Sequence, residues 1–198
     1  MKTVANVLSE LKITLSPEWE KVFYSPSRLR LGMGGEGSGK SFQAGLFATC
    51  ASIYDTQFES SLYWVVGADF EDARKDMEYI RDFQEKLGNI EGRPIFPDRR
   101  DQSCLIKTKT GQTFVTISAY DETKLGREEP DAIVGAEVSR WTHESFQRCE
   151  GRLLRKYPRS WGFFSGSFET SLGWLPALYK STLGPNERGI RSYTIPSW

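Results

Sequence analysis

The chain has 198 residues, a length that suits one domain with a substantial core. Its 26 basic and 26 acidic residues give a formal net charge of zero, which excludes a global basic signature for nucleic acid and leaves only a local patch. A hydrophobic content of 38% with 13% aromatics excludes a disordered chain.

Residues 1–25 read as a lead-in. Val4, Val7, Leu8 and Leu11 recur at helical spacing, and Ser16-Pro17-Glu18-Trp19 looks like a capped helix start with proline in the first turn. Ser25-Pro26-Ser27 is a break. Arg28 to Met33 alternates like a strand, and Ser41 to Tyr54 carries an apolar face of Phe42, Ala44, Leu46, Phe47, Cys50 and Ala51. Ser61 to Val66 is nearly all apolar and ends at Gly67, the pattern of a parallel strand buried on both faces. From Asp69 to Leu87 the spacing of Phe70, Ala73, Met77, Ile80, Phe83 and Leu87 predicts a helix ended by Gly88, with its charged residues on a solvated face. A surface loop around Arg93-Pro94 and Pro97 to Arg100 follows. Cys104 to Lys107 and Thr113 to Ile117 then form a hairpin across Thr108-Lys109-Thr110-Gly111. Ala132 to Ala136 is a buried strand, Glu144 to Leu154 a helix, Trp161 to Ser165 a strand, Leu175 to Tyr179 helical, and Ile190 to Ile195 a last strand. Strands alternating with helices predict an α/β fold with a mostly parallel central sheet flanked by helices. The single histidine, His143, reads as an ordinary helix-start residue. Cys50, Cys104 and Cys149 have neither metal spacing nor a disulfide framework and read as buried small hydrophobes in a reducing compartment. The N-terminus has no apolar signal region, and no stretch is long enough to span a membrane.

The most informative stretch is Gly34-Gly35-Glu36-Gly37-Ser38-Gly39-Lys40-Ser41, a G-x-x-x-x-G-K-S phosphate-binding loop, or P-loop, set between a strand and a helix. Its glycines allow positive φ and close approach of the backbone to an anion, and successive N–H groups form a concave nest for phosphate. Lys40 supplies a charge for the β- and γ-phosphates, Ser41 a hydroxyl for Mg²⁺, and the helix beginning through Phe42 its free N–H groups. ATP and Mg²⁺ are the ligands this pattern predicts.

A P-loop enzyme needs a second site at the end of a neighbouring strand, usually four apolar residues leading into a metal-holding Asp. Asp131-Ala132-Ile133-Val134-Gly135-Ala136-Glu137 is the candidate. Ala136 stands where that Asp would be, and Glu137 follows as the general base that orients or deprotonates water. The alternative for Glu137 is a helix-capping surface acid. Ser165-Gly166-Ser167, at the C-terminal end of its strand, puts hydroxyls where open α/β sheets bind ligands, unless it is a plain strand-to-loop turn.

Together the P-loop, the strand Ala132 to Ala136 with Glu137, and Ser165-Gly166-Ser167 followed by Gly173-Trp174 resemble the ATPase domain of the large terminase subunit of tailed double-stranded DNA bacteriophages. The resemblance spans nearly the whole chain, residues 1–198. It implies an ATP-driven motor that pumps double-stranded DNA into a procapsid. The partners it implies are a portal protein, a small terminase subunit and further copies of itself in a ring, in the cytoplasm of the infected host. Ser165, Gly166 and Ser167 look like the family's coupling motif, which links hydrolysis to movement. Tyr193 to Trp198 looks like the passage into a C-terminal nuclease domain, which is missing here. In such proteins a basic residue before the Glu137 strand reaches into the next subunit's site; Arg127 is the candidate and Lys124 its rival, with a solvated loop charge as the plain alternative. Two other functions stay open. One is a different P-loop DNA translocase or helicase. The other is a nucleotide-binding structural or regulatory subunit without turnover, suggested by Ala136.

Overall fold

The computed structural model describes residues 3–54, 60–168, 173–184 and 189–196. Two short helices, α1 (Val4–Leu11) and α2 (Pro17–Phe23), precede the first strand, β1 (Leu29–Gly34). Pro17 sits at the first helical position of α2, but the Ser16 side chain makes no capping hydrogen bond, so the fixed φ of proline sets this helix start. Then come α3 (Lys40–Tyr54), β2 (Ser61–Gly67), α4 (Phe70–Lys86), β3 (Leu105–Lys107) and β4 (Gln112–Ser118). The rest of the order is α5 (Glu122–Arg127), β5 (Ala132–Gly135), α6 (His143–Arg155), β6 (Trp161–Gly166), α7 (Trp174–Ser181) and β7 (Ile190–Ile195). A single 3-10 turn, Val138–Arg140, separates β5 from α6.

Among the described residues the strands form one seven-stranded sheet in the order β3-β4-β2-β5-β6-β1-β7. Every pairing is parallel except the β3–β4 hairpin at one edge. The strand alternation divides the core into two layers. Tyr63 and Val65 of β2 join α1 to α4 on one face, through Trp19, Leu46, Met77, Ile80 and Phe83. Trp64 and Val66 join α5, α6 and α7 on the other, through Leu125, Phe146, Cys149, Leu153, Leu175 and Leu178. A strand buried on both faces reads as continuous apolar sequence, which is why β2 was legible.

Three expectations change. β5 does not lie beside β1: β6 stands between them, pairing Leu31 with Phe164 on one side and Val134 with Phe163 on the other. The stretch Lys124 to Arg127, for which a solvated loop charge was the plain alternative, belongs to α5, whose N-cap Asp121 accepts the Lys124 N–H at 3.0 Å. The acids of α4 are not all solvated: Asp72 is 5% exposed and Asp76 is fully buried. They lie in phase with Ala73, Met77, Ile80 and Phe83, on the inward face.

Candidate nucleotide-binding site

All strands that end near the P-loop deliver their C-terminal ends to one edge of the sheet, where ligands bind in open α/β folds. β1 passes at Gly34 into the loop and thence into α3. Gly37 has φ +72° and Gly39 φ +78°, a left-handed backbone that favours glycine, and both face open space. Ser38, wholly buried, pins the loop by donating its hydroxyl to the Gly35 carbonyl at 2.8 Å. Glu36 and Gly37 are exposed at the tip. The Gln43 N–H returns to the Gly39 carbonyl at 2.9 Å and closes the first turn of α3. The N–H groups of Lys40, Ser41 and Phe42 precede that first bond and are the orphan donors of the helix start, aligned with its positive dipole end. Lys40 is 8% exposed, and its ammonium donates to the carbonyls of Gly34 at 2.9 Å and Gly35 at 2.8 Å. It is thus folded over the loop that would cradle phosphate. The Phe42 ring packs edge-on against Tyr79 at 5.6 Å and Phe83 at 5.1 Å, so only its backbone faces the loop.

Glu137 follows β5 with φ 46° and ψ 52°, a left-handed conformation that costs a residue with a Cβ about 1 kcal/mol or more. It occupies the N-cap position of the 3-10 turn but makes no capping hydrogen bond there, which removes the physical basis for the capping reading. The turn is fastened on several sides. The Ala136 N–H donates to the Val66 carbonyl at 2.7 Å, and the Trp141 indole donates to the Ala136 carbonyl at 3.1 Å. The Tyr120 hydroxyl donates to the Arg140 carbonyl at 2.8 Å. The Arg140 guanidinium pairs with Asp72 and lies 3.6 Å from Asp69, tying the turn to the start of α4. Such support holds a side chain in one geometry without help from its own rotamer preferences.

Asp76, which periodicity alone had assigned to a solvated face, lies in this locality. Its burial pushes the carboxyl up to about 7; Glu137 and Asp72 add to the rise, while the Ser41 hydroxyl and Lys75 oppose it. Neither Asp76 oxygen completes a hydrogen bond of ordinary geometry. Because both act on Asp76, Ser41 at the start of α3 and Glu137 in the turn after β5 lie near the same buried carboxyl despite the intervening strand. The signal in the sequence was an acid at the helical phase of Ala73, Met77 and Ile80.

Ser165 is the penultimate residue of β6, 2% exposed, with its hydroxyl 3.5 Å from the Gly135 carbonyl, a contact at the limit of hydrogen bonding. A Cβ on Gly166 would stand 3.2 Å from the Ser139 amide nitrogen, so β6 runs closely under the Glu137 turn. Ser167 is half-buried beyond it, and Glu169 and Thr170 lie outside the described residues. His143 stacks on Trp174 at 5.3 Å, at the helix start expected for it. Arg127 is exposed at the C-terminal end of α5, on the segment leading to the N-terminal end of β5. Lys124, nearer the other end, lies over the Phe70 ring at 5.1 Å. Asp131 is structural: at the N-terminal end of β5 it accepts the Leu62 N–H at 2.9 Å and faces Lys156. Ser197 and Trp198, part of the terminal stretch noted in the sequence, lie outside the described residues.

Among the described residues no helix is long and apolar enough to cross a membrane. Neither a protein-family model nor a curated protein matches the sequence. Solved structures match its fold. The large terminase ATPase domain of Thermus phage P74-26 gives a TM-score of 0.70 at 16% identity, covering 94% of this chain and 83% of that one. The large terminase of a second thermophilic bacteriophage, in complex with ADP, gives 0.68 at 14% identity, covering 92% of this chain and 45% of that one. The same protein with ATP-γ-S gives 0.64 at 14% identity, covering 92% of this chain and 45% of that one. This chain therefore spans under half the length of that longer terminase. Its mostly parallel sheet with helices on both faces is the fold of large terminase ATPase domains.

Proposed function

We propose that this chain is an ATPase motor domain of the large-terminase kind, one that hydrolyses ATP to move double-stranded DNA into a viral procapsid. The observation that carries this reading is the convergence of a P-loop helix start with a strained Glu137, whose side chain makes no capping bond, around one buried locality. The fold it shares with terminase ATPase domains, some solved with nucleotide, supports the same reading. The portal protein, the small terminase subunit and a ring of copies are the partners that go with it.

In this mechanism the loop from Gly34 to Gly39 wraps the β-phosphate with backbone N–H groups, and the N–H groups of Lys40, Ser41 and Phe42 complete the nest. Lys40 leaves the Gly34 and Gly35 carbonyls for the β- and γ-phosphate oxygens. Glu137 orients the attacking water and accepts its proton, a contribution of about 10²–10⁴ in rate. The residues present fit a magnesium ion: the Ser41 hydroxyl would hold it, beside an orphaned buried carboxylate, and the ion would neutralise phosphate charge. Ser165, Gly166 and Ser167, packed beneath the Glu137 turn, are the proposed route by which loss of the γ-phosphate moves α7 and its neighbours. Arg127 is the proposed group acting on the next subunit's phosphate.

Phosphate release from ATP, measured with and without double-stranded DNA, tests the proposal. Turnover is expected, raised by DNA, and abolished in Lys40→Ala. Unchanged nucleotide affinity and turnover in Lys40→Ala would overturn the P-loop reading. Ala136 favours a second reading, binding without turnover. Tight ATP binding with no phosphate release under any DNA condition would support it.

A further inference from the structure

A P-loop NTPase usually holds its metal with an Asp at the end of the strand that here is β5, where Ala136 follows Gly135 with a side chain that has no oxygen. Asp76 supplies one from another direction. It is 0% exposed, in an interior where an ionised carboxylate without partners is expensive. Neither of its oxygens completes a hydrogen bond of ordinary geometry, although nearly all buried polar atoms in folded proteins have one. The Ser41 hydroxyl and Glu137 both act on it, the first favouring its ionised form and the second opposing it. α3 and α4 follow parallel strands and so run side by side in the same direction. Gly45 lets them approach closely: a Cβ there would stand 2.6 Å from the Tyr79 Cβ and 3.1 Å from the Ile80 nitrogen. Ser41 and Asp76 are each one helical turn before Gly45 and Ile80, so this crossing brings them together.

We propose that Asp76, from α4, anchors the magnesium ion of the bound nucleotide together with Ser41, in the role that a strand-end aspartate fills in other P-loop enzymes. The inference rests on the nucleotide-site reading given above. A hard, oxygen-seeking cation takes few protein ligands beside phosphate, so one hydroxyl and one carboxylate complete what the phosphates begin. This also accounts for a carboxylate left unbonded in the interior: its partner arrives with the nucleotide. The other charges that act on Asp76 are Asp72, itself paired with Arg140, and the exposed Lys75.

The test is the affinity for fluorescent ADP, measured with excess Mg²⁺ and again in EDTA, in wild type, Asp76→Asn, and Asp76→Asn combined with Ala136→Asp. Wild type should bind more tightly with Mg²⁺. Asp76→Asn should keep its affinity in EDTA and lose about 10- to 100-fold of the Mg²⁺ enhancement, the scale on which groups around a metal usually act. The added Ala136→Asp should restore part of it. Metal-free Asp76→Asn should melt no lower than wild type, because the change removes a buried carboxyl that has no ordinary hydrogen bond to lose. An undiminished Mg²⁺ enhancement in Asp76→Asn would overturn the proposal, and so would a metal-free melting temperature well below wild type, which would make the carboxylate structural. If wild type binds no nucleotide under either condition, the nucleotide-site reading itself fails, and that outcome is distinct from both.

Discussion

Gly45→Ala probes the contact on which the spacing of the site depends. The new Cβ would stand 2.6 Å from the Cβ of Tyr79 and 3.1 Å from the backbone nitrogen of Ile80. Neither atom is the tip of a flexible side chain, so α3 and α4 must separate. Overpacking of this kind costs about 1–3 kcal/mol. Alanine in place of glycine within a helix returns about 0.5–1 kcal/mol. The midpoints of these ranges leave a net loss of about 1 kcal/mol, which for a domain of this size lowers the melting temperature by about 2–4 °C. The Phe42 contacts with Tyr79 and Phe83 cross the same interface and would loosen with it. Thermal unfolding followed by circular dichroism measures the loss, and the Mg²⁺ enhancement of ADP affinity, measured on the folded variant, reads the widened gap between Ser41 and Asp76. A Gly45→Ala protein that melts at or above wild type would refute the close crossing and the argument built on it.

Other perturbations follow from burial and position. Cys50 and Cys149 are buried, and burial pushes both thiols up to about 12; Cys104, also buried, is raised as well. Iodoacetamide at mildly alkaline pH should therefore label none of the three in the native protein and all three in denaturant, and rapid native labelling would contradict the core described. Arg127→Ala and Glu137→Gln should each be inactive alone yet recover some ATP turnover when mixed, because a ring can pair an intact Arg127 with an intact Glu137. A fully active Arg127→Ala, or a dead mixture with assembly verified, would remove Arg127 from the role.

The parts of the fold that periodicity governs were legible in the sequence. β2 and α4 have apolar patterns that admit one reading, and Gly37 and Gly39 take the positive φ that their loop pattern calls for. Strand order was not legible, because nothing local to β1 or β5 records that β6 inserts between them. α5 was missed since six residues, Glu122 to Arg127, carry a single buried leucine and a glycine, too little for a helical period. Asp76 was missed for a different reason. A charge on a helix is ordinarily solvated, so the prior overrode the phase it shares with Met77 and Ile80. Places where a local rule fails without local compensation are often functional, and Asp76 and the left-handed Glu137 are two such places.

The central claim is that Glu137 turns over ATP held by the P-loop. Single-turnover hydrolysis of ATP by wild type and Glu137→Gln, with nucleotide affinity measured on the same preparations, tests it directly. The account predicts equal affinity and a rate lower by about 10²-fold or more in the variant, because glutamine keeps the shape of the side chain and cannot accept the proton. Equal rates at equal affinity would contradict it.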